Sequence, residues 1–588
     1  MSNSSIHHQP PRECENSSYG NAEKPKGGPP DEVIEYPPTM VTITVMGACM
    51  LAMFLVALDR TIISTAIPRI TDQFNSIDDI GWYGSAYMLA NCSVQLIYGR
   101  IYKFYPTKYV FLVSIALLEI GSAICGAAPN SLALILGRAI AGAGASGIFS
   151  GVIQIMMIMV PLHRRPSYTG AFGSLFGLAS VLGPLLGGAF TQKVSWRWCF
   201  YINLPIGAIT IIVVCLLLKV SRARQGNLPY TQQIQQLDPI GTVLFVGSMT
   251  SLILALQWAG FSYSWSSPRI IGLWVCFALT FISFLVVQWA KKDNATVPPR
   301  IFFQRSICSG FFYSFCLAAS MMILIYYIPI WFQAVKGVNA VKSGIMTLPS
   351  ILSLVIASIA SGVVVQHVGY YVPVMITGPV ISSIGAGLLT TFKPDTGSPH
   401  WIGYQFLYGF GLGQGMQATS LAAQAVLPRP DAPIGVALMF FGQQLGGAIF
   451  VAVGENVFAQ KLIKGLQSVP GVNAEAVANA GATDLRNIIS SSLLPQVLKV
   501  YNRALIQVWY VATAMTCLTI IPAFFMEWKD VRKSKKCPGG PAAEGKTDAN
   551  EGDSSQSRNQ SLASTITSEK HKVPSDQFTK TQVPNELP

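Results

Sequence analysis

Apolar runs about twenty residues long recur along this chain, separated by short polar segments rich in Gly, Pro and charge. At about 1.5 Å of rise per residue, each run is long enough as a helix to cross a hydrocarbon core about 30 Å thick. They fall near 41–66, 81–102, 109–127, 132–160, 168–190, 198–219, 238–259, 269–290, 307–332, 344–366, 371–391, 401–427, 433–458 and 505–527, fourteen in all. Two polar interruptions are long. One, 220–237, is a linker after the sixth run; the other, 459–504, carries Leu485, Ile488, Ile489, Leu493, Val497 and Val500 at roughly helical spacing. That spacing predicts an amphipathic helix lying on the outer surface.

Six runs precede the first linker and six close the chain, leaving a central pair. The expected fold is an all-α polytopic membrane protein with 14 transmembrane helices, two six-helix bundles and an inserted hairpin. The expected boundaries are a disordered cytoplasmic N-terminal tail over 1–40, an N-terminal bundle over 41–219, and a linker with the inserted hairpin over 220–306. A C-terminal bundle follows over 307–527, containing the extracytoplasmic loop 459–504, and then a disordered cytoplasmic tail over 528–588. Transporters built from repeated halves bind substrate near the midplane between them and rock around it.

Composition agrees with this reading. The 588 residues are 51% apolar and only 11% charged, against roughly 25% charged in a soluble domain. The net charge of +13 is distributed as a topology signal. Lys103 and Lys108, Arg164 and Arg165, Lys219 with Arg222 and Arg224, Lys291 with Lys292, and Lys529 with Arg532 all fall in alternate loops or at the C-terminus. Basic loops stay cytoplasmic, so both termini are expected there. No concentrated basic and aromatic patch argues for nucleic acid. Residues 1–38 lack the apolar region of a signal peptide, so the first run must direct insertion. Nine of the eleven cysteines sit inside runs without a CxxC pair, which reads as small core residues, not as a disulfide or metal frame. No phosphate loop, dinucleotide fingerprint or His cluster is present, so no enzyme activity, cofactor or metal is expected, and energy must come from a gradient.

The run 168–190 contains Gly173, Gly177, Gly183, Pro184, Gly187 and Gly188. Glycine costs a helix about 1 kcal/mol relative to alanine, so this density needs a packing reason. A smooth face lets a neighbour lie close, and Pro184 removes one backbone donor and bends the span.

Of the charged side chains within runs, four are candidates for chemistry. A carboxylate at the centre of a lone span costs about 2.5–3.5 kcal/mol, so Asp59 should face a cavity or a partner. It is read as a proton-binding group, with a structural pair to Arg60 as the alternative. Arg138, set among Gly137, Gly142, Gly144 and Gly147, stays protonated; its field can lower a carboxylate's pKa or hold an anion, and surface anchoring is the alternative. Glu119 and Glu455 are candidate second titrating sites, against a helix-to-helix hydrogen bond and interfacial exposure respectively. Asn91, Gln95, Gln154, Gln414 and Gln443 can line a wet cavity or join helices, with Gln405, Gln417 and Gln444 as further members of that set. Phe441, with Phe440, Tyr326 and Tyr327, can wall an apolar ligand or pack the core.

These residues resemble the major facilitator superfamily and, within it, the fungal 14-spanner drug:proton antiporters, the multidrug and secondary-metabolite efflux pumps. The resemblance covers about 41–527. It is carried by Leu58-Asp59-Arg60-Thr61-Ile62 with Ala66-Ile67-Pro68, by Gly137-Arg138, by Gly183-Pro184-Leu-Leu-Gly187-Gly188, and by Trp196-Arg197-Trp198 leading into Asn203-Leu-Pro205. One departure stands out. The loop after the second span reads Gly99-Arg100-Ile-Tyr-Lys103-Phe-Tyr-Pro106-Thr-Lys108, with Lys103 where the wider superfamily carries an acid. The resemblance implies that Asp59 and Arg138 take part in coupling or substrate handling and that the Gly-rich fifth span suits export.

The expected activity is therefore proton-coupled efflux of a small hydrophobic organic compound, a secondary metabolite, toxin or xenobiotic, by alternating access. The expected setting is the lipid bilayer of the plasma membrane, with the vacuolar membrane as the other choice, and the chain working as a monomer. Two other readings are kept: a same-fold importer or vacuolar carrier for basic amino acids, and a membrane sensor that moves nothing.

Overall fold

The computed structural model describes residues 36–74, 76, 79–218, 236–259, 263–470, 472, 489–490 and 492–532. All of them belong to one compact unit. Residues 1–35 and 533–588 of the expected tails and 220–235 of the linker lie outside the described residues. Of the expected amphipathic surface helix, Leu485 and Ile488 lie outside them, whereas Val497 and Val500 belong to the last long helix, Leu494–Phe524, and Val497 is fully buried, so this part packs in the bundle and does not lie on the outer surface.

Each predicted run is helical. The long helices are α1 (Thr39–Phe74), α2 (Ile80–Phe104), α3 (Thr107–Ala127), α4 (Ser131–Met159), α5 (Arg165–Lys193), α6 (Asn203–Leu217), α7 (Pro239–Trp258) and α8 (Pro268–Lys291). They continue as α9 (Arg305–Ala334), α10 (Leu348–Val368), α11 (Val372–Leu389), α12 (Ser398–Gly415), α13 (Ala432–Leu466) and α14 (Leu494–Phe524). Among the described residues, 12 segments are long and apolar enough to cross a membrane. The two predicted runs outside that set are α2, which carries Asn91, Gln95, Arg100 and Lys103, and α12, which breaks at Met416-Gln417 before a further piece, Ala418–Val426. No strand ladder occurs among the described residues; two isolated bridges are the only extended pairings.

Packing repeats with an offset of eight helices. In the first bundle α1 packs on α5 and α6, α2 on α4, and α3 on α4 and α6. In the second, α9 packs on α13 and α14, α10 on α12, and α11 on α12 and α14. The bundles meet along two seams, α2 against α13 and α5 against α10, which are related by the same offset. The hairpin α7–α8 lies against α2 and α13 through α7. α8 packs on α7 and leaves Val275, Leu279, Ile282 and Val286 exposed, as a lipid-facing helix does.

Glycine determines how close these helices come. A Cβ at Gly187 would meet Ile62 O of α1 at 2.7 Å, and one at Gly183 would meet Thr61 of the same helix. Gly177 lies against Val355 and Ile351 of α10. The fifth run thus serves two neighbours, α1 within its bundle and α10 across the seam. Gly188 departs from the expected close-packing face: nothing lies within 4 Å of the place its Cβ would take. One position beyond Gly187 is about 100° around the helix, which carries it off that face. Pro184 is exposed inside a continuous α5, so the donor it lacks falls on the outer side of the helix.

Candidate functional site: a buried ion pair and the seams around it

The α2–α3, α4–α5 and α8–α9 connections share one face with the start of α1 and the end of α14. It is called the basic face here because Lys103, Arg164, Lys291 and Arg300 lie on it. Asp59 is about 30 Å along α1 from this face. Arg138 is about 10 Å into α4 from the opposite one. The two meet as a fully buried pair, Arg138 Nη1 standing 2.6 Å from Asp59 Oδ2 with side chains 1% and 0% exposed. Arg138 also donates from Nε to Tyr83 O at 2.9 Å and lies over the Tyr87 ring at 4.4 Å. Asn203, the first residue of α6, donates from Nδ2 to Asp59 Oδ1 at 3.2 Å and to Ser122 Oγ at 3.0 Å. Five helices, α1, α2, α3, α4 and α6, therefore converge on one charge pair. A buried pair is costly unless its remaining donors and acceptors are used, and here nearly all are.

Arg60 is not the partner. Next to Asp59 in sequence, it points to another side of α1 and its Nη2 reaches Met322 Sδ of α9 at 3.3 Å, joining the two bundles. Glu119 lies one turn before Ser122 on α3, packed against Gly207, which lies one turn after Asn203 on α6. Both Glu119 oxygens are buried without a hydrogen-bond partner, so the expected helix-to-helix hydrogen bond is not formed. Glu455 stands apart on α13, half-buried.

The neutral polar residues divide. Gln95 is used within its bundle, donating to Ser150 Oγ at 2.9 Å and accepting from Ser146 Oγ at 3.0 Å. Gln405 is likewise joined to Ser350 and to Met346 O. Asn91 Oδ1, Gln154 Nε2 and both amide atoms of Gln417 are buried without a partner. Gln414 accepts from Thr377 Oγ1 at 2.8 Å and, with Gln417, Ser358 and Gly170, lines a small cleft at the α5–α10 seam. Gln443 is half-buried on α13. Phe441 is buried against Phe245 of α7 and Phe311 of α9, and Tyr326 faces outward.

On the basic face the unusual Lys103 finds its acid on the other bundle. Its Nζ lies 2.9 Å from Asp431 Oδ1, just before α13, while Arg300 Nη1 lies 2.8 Å from Asp431 Oδ2 and also pairs with Asp293. Arg100 donates to Asp293 O at 3.0 Å. Burial pushes the Asp431 carboxyl up, but the hydrogen bonds from Arg300 and Lys103 outweigh it and hold the group below its ordinary value. Asp238, at the foot of α7, is buried and accepts from Gly241 N, Gln288, Lys291 and Thr296. It too is held below its ordinary value, these bonds overcoming the effect of burial. At the other seam Ser358 Oγ donates to Gly170 O at 2.9 Å and Ser167 pairs with Gln366. Both seams are thus closed at this face.

Sequence reasoning did not assign roles to Asn203, Ser122, Tyr83 or Asp431. Asn203 had a signal, as an amide entering an apolar run; Asp431 had none beyond its place at a helix start.

Comparison with known proteins follows this architecture. Residues 49–451 match the model of the Major Facilitator Superfamily. The chain is 51% identical over 511 residues to the MFS-type transporter VdtG of Byssochlamys spectabilis, covering 87% of this chain and 92% of that one. It is 52% identical over 497 residues to the MFS-type efflux pump MFS1 of Trichophyton rubrum, covering 84% and 92%. It is also 47% identical over 489 residues to the efflux pump aflT of Aspergillus parasiticus, covering 83% and 95%. Among solved structures, the human organic anion transporter MFSD10 aligns with a TM-score of 0.53 at 14% identity, over 84% of this chain and 100% of that chain, a likeness of fold.

Proposed function

This chain belongs to the major facilitator superfamily, and we propose that within it the protein is a proton-coupled efflux transporter for hydrophobic organic compounds. The observation that carries the reading is the Asp59–Arg138 pair, a fully buried charge couple inside a membrane-spanning bundle. The names of the relatives that are efflux pumps support the outward direction. In this reading residues 41–219 and 307–527 are the two moving bundles, 220–306 is the linker and inserted hairpin, and the basic face is cytoplasmic, with both termini there. The chain works as a monomer in the plasma membrane.

The cycle follows from the chemistry of the pair. In the closed state Arg138 and Asp59 are paired. Opening to the outside admits water and a proton to Asp59, which neutralises it and frees Arg138 from its partner. Asn203 keeps a donor on Asp59 and thus orients the carboxyl. Substrate leaves outward in this state. Return to the inward state brings a new substrate, and re-formation of the pair expels the proton to the cytoplasm. Glu119, one turn nearer the basic face, is a second proton-holding group on that route, and Glu455 serves the second bundle. One charge crossing 100 mV supplies about 2.3 kcal/mol, roughly a fifty-fold concentration ratio, so one proton per cycle makes export useful.

The test is efflux of a panel of hydrophobic compounds from transporter-deficient yeast expressing the chain, with and without a protonophore. Export that the protonophore abolishes supports the reading. Protonophore-insensitive export overturns proton coupling, and saturable uptake of basic amino acids in place of export overturns the direction.

A further inference from the structure

Three aromatic rings meet across the line where the two bundles join, two of them stacked and the third tilted against the pair. Phe149 of α4 lies nearly parallel to Phe176 of α5, with centroids 5.6 Å apart and planes 7° from parallel. Phe440 of α13 stands 5.4 Å from the same Phe149 ring at 38°. Phe149 and Phe440 are 3% exposed, and Phe176 is half-buried. Counting from Met159, Arg165 and Ala432 at the basic face, the rings lie about 12–17 Å deep. That is close to the middle of a core about 30 Å thick. Two of the rings belong to the first bundle and one to the second, so any rocking that parts α4 from α13 separates Phe440 from Phe149. It leaves an aromatic face open at the midplane.

Three glutamines lie within about a turn of these rings along or beside their helices, and one of them, Gln417, has no partner for its amide. Gly173 lies one turn before Phe176 on α5. The Gln417 side chain passes within 3.3 Å of the place a Gly173 Cβ would take, and both Gln417 amide atoms are buried without a partner. Gln443 and Gln444 follow Phe440 by three and four positions, which puts them on the same face of α13, and both are half-buried. A buried amide with no partner is costly, and a ligand that supplies the missing partner recovers that cost.

We propose that the transported compound is a planar aromatic molecule with hydroxyl or carbonyl groups at its rim. Its ring plane takes the place of Phe440 on Phe149 when the bundles part, and its rim groups meet Gln417 and Gln443. This rests on the transporter reading given above and adds the substrate class to it. Any apolar wall favours a hydrophobic compound in proportion to the area covered. A ring face adds a contribution that a saturated compound of the same volume does not collect, worth about twofold to twelvefold in affinity.

The experiment measures export of 1,8-dihydroxyanthraquinone, of unsubstituted anthracene and of a saturated perhydroanthracenediol from yeast expressing the protein at matched surface level. Wild type is compared with Phe149→Leu, Phe149→Trp and Gln417→Leu. The expected result is that Phe149→Leu raises the half-saturating concentration of the anthraquinone about twofold to twelvefold, leaves that of the saturated diol unmoved, and is rescued in Phe149→Trp. Gln417→Leu should weaken handling of the anthraquinone but not of anthracene, which gives a second measure should the Phe149 variants fail to reach the surface. Equal effects of Phe149→Leu on planar and saturated probes, or a wild-type preference for the saturated diol, overturn the proposal. Export of other panel compounds but of none of these three removes the substrate class and leaves the exporter; protonophore-sensitive export of no compound removes both.

Discussion

Replacing Asp59 with Asn takes one charge from a site where Arg138 keeps its own. The hydrogen bonds can be rebuilt. Asn203 Oδ1 is buried and unpaired, so after a turn of that amide it accepts from the new Asn N–H, while the new Oδ1 accepts from Arg138. The charge cannot be rebuilt. Removing one partner of a buried pair costs about 3–5 kcal/mol, and because Arg138 keeps its bond to Tyr83 O and its position over Tyr87, we expect the lower end of that range. The double variant Asp59→Leu with Arg138→Met removes both charges and should recover most of the loss. Thermal unfolding of the detergent-solubilised protein, followed beside export from yeast, separates the two roles. Asp59→Asn should unfold earlier and not export, whereas the double variant should unfold close to wild type and still not export. Wild-type stability in Asp59→Asn would refute the energetic argument, and protonophore-sensitive export retained in it would move coupling to Glu119 or Glu455.

Three further outcomes are expected. Gly187→Val puts a branched side chain against Ile62 O and Thr65 of α1 and should destabilise by about 1–3 kcal/mol, while Gly188→Val, with open space around it, should stay within about 0.5 kcal/mol; equal unfolding midpoints for the two would contradict the close approach of α1 and α5. Asp431→Asn weakens the Lys103 and Arg300 contacts, so a cysteine placed at the buried Ala437 should react faster with an impermeant thiol reagent in inside-out vesicles. Because the folded carboxyl of Asp431 titrates below its ordinary value, its contribution to closure is complete above about pH 4 and lost only as pH falls through the folded value; reactivity of that cysteine in otherwise unaltered protein should not vary through Asp431 between pH 5 and 8, once the thiol's own ionisation is subtracted. Trp331→Phe removes the 2.6 Å bond from Nε1 to Asn502 Oδ1 and leaves a buried acceptor, a loss of about 1–3 kcal/mol in unfolding free energy, and a midpoint equal to wild type would show that water reaches Asn502.

The helices were legible because a run of about twenty apolar residues has one stable disposition in lipid. Their ends were less so. α1 continues to Phe74 and α14 begins at Leu494, since helix outside the core carries polar residues that hydropathy does not register. Asp59 and Arg138 announced themselves by their cost, but their pairing did not. Arg60 is adjacent in sequence and about 100° away around α1, so spatial partners come from the α1–α4 packing, which no single run specifies. The glutamines show the same limit: Gln95, Gln414 and Gln417 are alike in composition, yet one joins helices, one bonds to Thr377 in a seam cleft and one is left unpaired. Lys103 looked like a lost acid in one loop. Its counter-charge, Asp431, is 328 positions away, a separation across which single-sequence reading has no handle.

The hairpin α7–α8 covers only one of the two seams. Helix packing related by an eight-helix offset would make the α2–α13 and α5–α10 flanks equivalent, but α7 lies across the first and, among the described residues, no long helix packs in the same way across the second. A lipid-dissolved molecule diffusing sideways towards the centre therefore meets an obstructed flank and a bare one. On the uncovered flank α5 and α10 meet directly through Gly170, Ser358 and Gly362. The protein has near-twofold internal packing and a one-sided cover.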